Sequence, residues 1–174
     1  MKLLNTLRRF LIPSFVVTAV YLLKYKCKIS PKAEVELNAL LKIGRGTVVS
    51  SFSKIKANGP MNIGDNVSIG TNCFISSDAG GVNIGEYSMI GSNSCIIGNN
   101  YQYGELDVPI CLQGKTSKGI DVADNVWIGS GCSILDGATI GKGAIITPNS
   151  VVSGKIPEYA IAQGNPAKVI FTRR

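Results

Sequence analysis

From Val122 through Ile128, Ile134, Ile140 and Ile146 to Val152, a β-branched aliphatic returns every six residues. No other feature constrains the fold of this chain as strongly. Six is neither the 3.6 of an amphipathic helix nor the 2 of a strand, so the spacing marks a repeat architecture. Upstream the same spacing recurs in blocks of three: Ile43, Val49, Ile55; then Ile63, Ile69, Ile75; then Ile84, Ile90, Ile96. Between blocks the phase slips by two or three residues, and within a block it never slips. Three six-residue segments therefore form one unit of about 18 residues, a single triangular coil.

The residue two before each aliphatic tests this reading, because a narrow prism has room for one bulky side chain per face. Val67, Cys73, Ser88, Ser94, Val126, Cys132, Ala138, Ala144 and Ser150 are all compact, and the larger Leu41, Met61 and Ile120 each open a coil. Glycine follows many of the aliphatics (Gly44, Gly64, Gly70, Gly85, Gly91, Gly129, Gly141), and is expected to supply the permissive backbone that a corner every six residues needs. Stacked about 4.8 Å apart, such coils line the interior with aliphatic ladders and bond the main chain of each turn to the next. The expected fold is all-β: a parallel β-helix of about five coils.

Three segments extend the pattern: Asp124-Asn125-Val126-Trp127-Ile128-Gly129-Ser130, Leu135-Asp136-Gly137-Ala138-Thr139-Ile140-Gly141 and Gly164-Asn165-Pro166-Ala167-Lys168-Val169-Ile170. With these, residues 60–171 resemble the hexapeptide-repeat acyltransferases, in particular the branch that O-acetylates sugars and bacterial polysaccharides and includes galactoside and maltose acetyltransferases. The resemblance implies a left-handed β-helix, acetyl-CoA as acyl donor, a sugar acceptor and a homotrimer with cofactor grooves at its seams. It divides the chain into an N-terminal segment (1–32), the β-helix (33–157, with an extruded loop at 98–119) and a C-terminal tail (158–174).

The chain has no histidine. That removes the imidazole base and the three-histidine zinc site of the carbonic-anhydrase-like members of this fold, so no metal is expected. Five cysteines, Cys27, Cys73, Cys95, Cys111 and Cys132, include no C-x-x-C pair. They read as reduced thiols of a cytoplasmic protein, with Cys73 and Cys132 at small inward positions.

Residues 1–32 carry seven lysines and arginines and no acid, and the other 142 residues carry eleven of each sign. Between Arg9 and Lys24 lies an apolar run, Phe10 to Leu23, interrupted by Pro13, Ser14 and Thr18. It falls short of the roughly 20 residues of a membrane span, and no small-residue cleavage site follows it. Three readings stay open: a helix packed on the prism or a neighbouring subunit, a basic anchor on the inner face of the cytoplasmic membrane, against which a kink at Pro13 would count, and a true span. The charge balance of the body argues against nucleic acid as a partner.

Ser76-Ser77-Asp78-Ala79-Gly80-Gly81 breaks the rhythm. It is either a bulging corner or, as the resemblance implies, the place where Asp78 contacts the acceptor's hydroxyls. The segment 98–119 interrupts the repeat between Ile96 and Val122, and loops of this length in compact folds are commonly functional. Its Asn99-Asn100-Tyr101-Gln102-Tyr103, Asp107-Val108-Pro109-Ile110 and Gln113-Gly114 resemble the family's active-site loop, which places Asn100 and Asp107 beside the acceptor. Tyr101 stands where the catalytic histidine belongs. A phenol of ordinary pKa near 10 is only about 0.1% ionised at pH 7, and a positioned base contributes about 10² to 10⁴ in rate.

Three explanations remain open: a substituted or degenerate site, an acceptor such as an amine that needs little base, or service by Asp107 or Glu105. No cation is evident beside Tyr101 in the sequence. For the cofactor, the resemblance points to Ser130, Pro148 and Ser153 along the pantetheine arm and Lys168 at the phosphates, although packing alone also asks for small residues at corners. Trp127 either contacts the cofactor or covers a subunit interface. The leading expectation is an O-acetyltransferase acting on a sugar of a surface polysaccharide or its lipid-linked precursor. An amino-sugar N-acyltransferase and a non-catalytic trimeric scaffold are the alternatives.

Overall fold

The computed structural model describes residues 12–174; the earlier part of the basic segment lies outside the described residues. Helix α1 (Ser14–Tyr25) is the first element among the described residues, with Pro13 at its N-terminal boundary. A proline there starts a helix, since its fixed φ suits the first turn and its missing N–H would have no partner anyway. Lys26 ends the helix in the left-handed conformation, at φ 56°.

The chain then winds through three parallel sheets. The first face stacks Lys28–Ile29, Val48–Val49, Ser68–Ile69, Met89–Ile90, Trp127–Ile128, Ile145–Ile146 and Ala160–Gln163, and the last strand, Lys168–Thr172, joins it antiparallel. On the second face are Glu34–Val35, Lys54–Ala57, Phe74–Ser77, Cys95–Ile97, Ser133–Leu135 and Val151–Val152. Leu41–Ile43, Met61–Ile63, Val82–Ile84, Ile120–Val122, Thr139–Ile140 and Lys155–Ile156 make the third. The result is a parallel β-helix of about seven turns. It exceeds the expected five because the degenerate first turn and the closing strand stack in the same register.

All fifteen periodic aliphatics are buried, and so are the residues two before them. Ile43, Ile63, Ile84, Val122, Ile140 and Ile156 form one continuous inward column through directly paired strands. Buried hydroxyls at the compact position tie adjacent turns together. Thr47 Oγ1 donates to the Gly64 carbonyl (2.8 Å) and accepts from the Val67 amide (3.1 Å); Ser94 does the same with Gly129 (3.0 Å) and Cys132 (3.1 Å). Where a thiol stands there instead, it meets the same kind of carbonyl, Cys73 Sγ lying 3.3 Å from Gly91 O. Burial pushes the thiol pKa up for Cys27, Cys73 and Cys132, which keeps them protonated and unreactive.

The glycines after the aliphatics have a different purpose from the one expected. Positive φ falls instead three residues before the next aliphatic, at Asn66 (57°), Asn93 (61°) and Gly131 (70°) among others. The following glycines lie against the next turn. A Cβ on Gly91 would come 2.5 Å from Ser130 N, and one on Gly129 would come 2.6 Å from Pro148 N. Turn-to-turn spacing, rather than backbone freedom, excludes a side chain there.

The faces differ outside. The third presents Lys42, Asn62, Asn83, Asp121, Thr139 and Lys155, which are all polar. By contrast, the lower first face aligns Met89, Trp127, Ile145, Ile161 and Phe171.

Gly91→Ala should cost about 1–3 kcal/mol by forcing neighbouring turns apart. Gly104→Ala, where an added Cβ meets nothing within 4 Å, should stay within about 0.5 kcal/mol of the parent in denaturant unfolding. In thiol labelling of the native protein, exposed Cys111 should react first, and Cys27, Cys73 and Cys132 only on unfolding.

Candidate active site

The second-face strand Phe74–Ser77 ends at the corner that leads to the third face, and Asp78 follows it, half-buried. Ser77 Oγ anchors this corner by donating to the Gly59 carbonyl at 2.8 Å. Asp78 Oδ1 accepts from the Ala79 amide (2.9 Å), and Oδ2 accepts from Asn99 Nδ2 (3.0 Å). Asn99 belongs to the next turn, where the chain leaves the prism, so the Asp78 carboxylate is fixed at the root of the extruded loop.

That loop is ordered by its own bonds. Asn100–Tyr101 pairs antiparallel with Lys115–Thr116, and a short 3-10 turn, Ile110–Leu112, lies between them. The Gln113 side chain closes the tip: its Oε1 accepts from the Glu105 amide (3.0 Å), and its Nε2 donates to the Glu105 and Val108 carbonyls (2.7 Å each). On the returning limb, Ser117 Oγ donates to the Gly98 carbonyl (2.6 Å) and accepts from the Gly80 amide (2.9 Å). Asp136, one turn further, accepts the Lys118 amide on both oxygens (2.8 and 2.9 Å) and the Gly119 amide on Oδ1 (2.9 Å). Both limbs and the Asp78 corner are thereby one hydrogen-bonded unit.

Tyr101 and Asn100 are exposed on the hairpin beside this root, and Asp107 is exposed towards the tip. Although no cation neighbours Tyr101 in sequence, the hairpin register brings Lys115 opposite it, with Nζ 4.6 Å from the ring centroid. The tip carries apolar side chains into solvent, with Leu106 97% exposed and Ile110 and Leu112 also exposed.

The residues expected to hold the cofactor occupy several places. Trp127, 48% exposed, points outward from the first face, and Ser130 turns the corner three residues later. Pro148 abuts that corner from the next turn, where the Asn149 amide donates to Ser130 O at 2.9 Å. Ser153 lies past Val151–Val152 at the other corner of the second face, and Lys168 opens the exposed terminal strand. Trp127, Ser130 and Pro148 are thus contiguous, and Ser153 and Lys168 stand apart from them. An exposed aromatic ring beside exposed corner backbone, with a cation on the same face, is a donor set that fits a long pantetheine arm and its phosphates.

No role for Asn99, Ser117, Asp136 or Lys115 follows from the sequence. Asp136 stood within a recognisable segment, but its bonds to residues 17 and 18 positions away carry no local signal. Ser117 reaches Gly80 across 37 positions.

Residues 119–154 match the bacterial transferase hexapeptide (six repeats) family. A Mycobacterium tuberculosis protein named as an acetyltransferase is 32% identical over 137 residues, 78% of this chain, and the chain spans 45% of that protein's length. WbbJ of Escherichia coli, named for O-acetyl transfer in lipopolysaccharide biosynthesis, is 26% identical over 156 residues, covering 86% of this chain and 77% of WbbJ. Among solved structures, AntD of Bacillus cereus, an N-acyltransferase in complex with dTDP and 3-hydroxybutyryl-CoA, superposes with a TM-score of 0.77 at 18% identity, covering 86% of this chain and 81% of AntD.

Gln113→Ala should speed amide hydrogen exchange across residues 104–114 while leaving global stability within about 1 kcal/mol, because every bond it removes lies within the loop.

Proposed function

We propose that this hexapeptide-repeat chain is an acyltransferase that uses acetyl-CoA as donor and acetylates a hydroxyl of a sugar, in a bacterial surface polysaccharide or its lipid-linked precursor. The observation that carries this reading is the Asp78–Asn99 pair at the root of the ordered loop. A half-buried carboxylate, oriented by an amide and facing an exposed loop, is suited to accept hydrogen bonds from sugar hydroxyls. Asn100 and Tyr101, exposed on the hairpin, and Asp107, exposed nearer the tip, are the loop residues assigned to the acceptor.

Bound acetyl-CoA supplies the activated acyl group, and Trp127, Ser130, Pro148, Ser153 and Lys168 are the residues assigned to hold it. The chain's own task is to orient the acceptor and to accommodate its proton. No imidazole is present for that, so the proton falls to Tyr101, Asp107, Glu105 or water, and a low rate towards hydroxyl acceptors follows. An amine needs no prior deprotonation in its neutral form, so the missing imidazole also supports a second reading, N-acylation of an amino sugar. The fold likeness to an N-acyltransferase is compatible with it.

The apolar column on the first face, Met89, Trp127, Ile145, Ile161 and Phe171, supports a homotrimer, since it offers other copies a surface to bury and leaves the polar third face to solvent. The use of acetyl-CoA as donor supports a cytoplasmic reaction.

Thiol release from acetyl-CoA with hydroxyl and amino sugars tests the readings. Turnover with hydroxyl sugars supports the first, and turnover with amino sugars alone supports the second. Coenzyme A binding without turnover leaves a degenerate enzyme or a scaffold. Tyr101→His should raise hydroxyl acetylation by about 10² or more by restoring a base of matched pKa; an unchanged rate with coenzyme A still bound would remove Tyr101 from the catalytic position. Sedimentation should give three times the 18.4 kDa chain mass, and a stable monomer at micromolar concentration would exclude the trimer.

A further inference from the structure

Helix α1 is apolar on both of its sides, and among the described residues only one side packs on the prism. Tyr21 is buried, its hydroxyl donates to the Glu36 carbonyl (2.9 Å), and Val17, one turn earlier, packs on the core. Phe15, Leu22 and Leu23, at i, i+7 and i+8, share the opposite side. They are 67%, 49% and 80% exposed. Leu37 and Leu40, in the first turn of the prism, are exposed as well.

Cations cluster at the C-terminal end of the helix. Lys24, Lys26 and Lys28 are all exposed. Charge is also polarised along the prism: residues 12–60 hold eight lysines and arginines against two carboxylates, whereas residues 61–174 hold seven against nine. The basic end is the end that carries α1, and Lys2, Arg8 and Arg9 precede it in sequence.

We infer that this end of the prism docks on an anionic lipid surface, with Phe15, Leu22 and Leu23 inserted at the interface and Lys24, Lys26 and Lys28 over the headgroups. Charge complementarity selects this occupant. A second copy placed on the same face would oppose one cationic cluster to another, and a nucleic acid would satisfy the lysines while leaving the apolar side in water. The helix lies in the surface plane. Its 12 residues span about 18 Å, against a hydrocarbon core of about 30 Å, and no helix among the described residues is long and apolar enough to cross a membrane. The inference rests on α1 and its surroundings alone, and is independent of the acyl-transfer reading.

Co-sedimentation of the full chain with vesicles tests it, using phosphatidylglycerol mixed with phosphatidylcholine against phosphatidylcholine alone. The chain should pellet with the mixed vesicles at low salt, and only weakly with the zwitterionic ones or at high salt. Lys24→Gln with Lys28→Gln should weaken binding about thirtyfold. Phe15→Ser, Leu22→Ser and Leu23→Ser together should abolish it while keeping a cooperative unfolding transition, because none of the three side chains is buried. A full chain that stays in the supernatant with mixed vesicles overturns the inference, as does a triple variant that binds like the parent. A triple variant whose sedimenting mass changes while vesicle binding does not would assign the apolar side to another copy of the chain, and overturns it equally.

Discussion

The main-chain bond from each turn to the next is what the rest of this molecule depends on. Stacked parallel strands place every buried N–H opposite a carbonyl one turn away, at the strand spacing of about 4.8 Å. That spacing leaves no space for a Cβ where Gly91 faces Ser130 or Gly129 faces Pro148. It also brings a hydroxyl such as Ser94 within reach of both the carbonyl and the amide of the neighbouring turn. Glycine, serine and asparagine recur because one repeat distance sets their contacts, and the aliphatic column fills the space the stack encloses.

Much of this was legible beforehand because the constraint is periodic. The fifteen aliphatics and the compact residues two before them are all inside. What was misread follows from the same physics. A glycine after many of the aliphatics suggests conformational freedom, yet positive φ falls elsewhere, on asparagines such as Asn66 and Asn93, on other glycines such as Gly131, and even on Phe52 and Tyr87. A stack with both neighbours in place can hold a non-glycine residue at positive φ, an outcome that local propensity does not reveal. The turn count was underestimated for a related reason: Ile29 and Val35 join the inward columns from a stretch whose own repeat is too degenerate to show.

The candidate site is legible in the sequence only where it is local. Asp78 announced itself by a phase break and Tyr101 by its place in a recognisable loop, but neither reveals its partners. Asn99, Ser117 and Asp136 act through bonds between turns, and Lys115 meets Tyr101 only because the hairpin pairs them. Such contacts depend on where the loop leaves and re-enters the stack, which single-sequence periodicity does not encode.

An excursion of this length would ordinarily weaken a solenoid, since the third-face strand Ile120–Val122 must return in register after leaving at Gly98. Closure entropy grows only slowly with loop length, so the larger problem is to fix where the strand re-enters. Three devices do this at increasing distance from the prism. Asp136 grips the Lys118 and Gly119 amides at the stack itself, and Ser117 bridges the outgoing limb to the Asp78 corner. The hairpin and the Gln113 staple then order the part that no longer touches the prism. Because Ser117 ties the returning limb to the Asp78 corner and Asn99 holds the carboxylate from the outgoing limb, the bonds that keep the β-helix in register also set where the carboxylate lies relative to the loop. Fold maintenance and site geometry are here the same set of hydrogen bonds, so the exposed tip, with Leu106, Ile110 and Leu112, is free to vary without disturbing either.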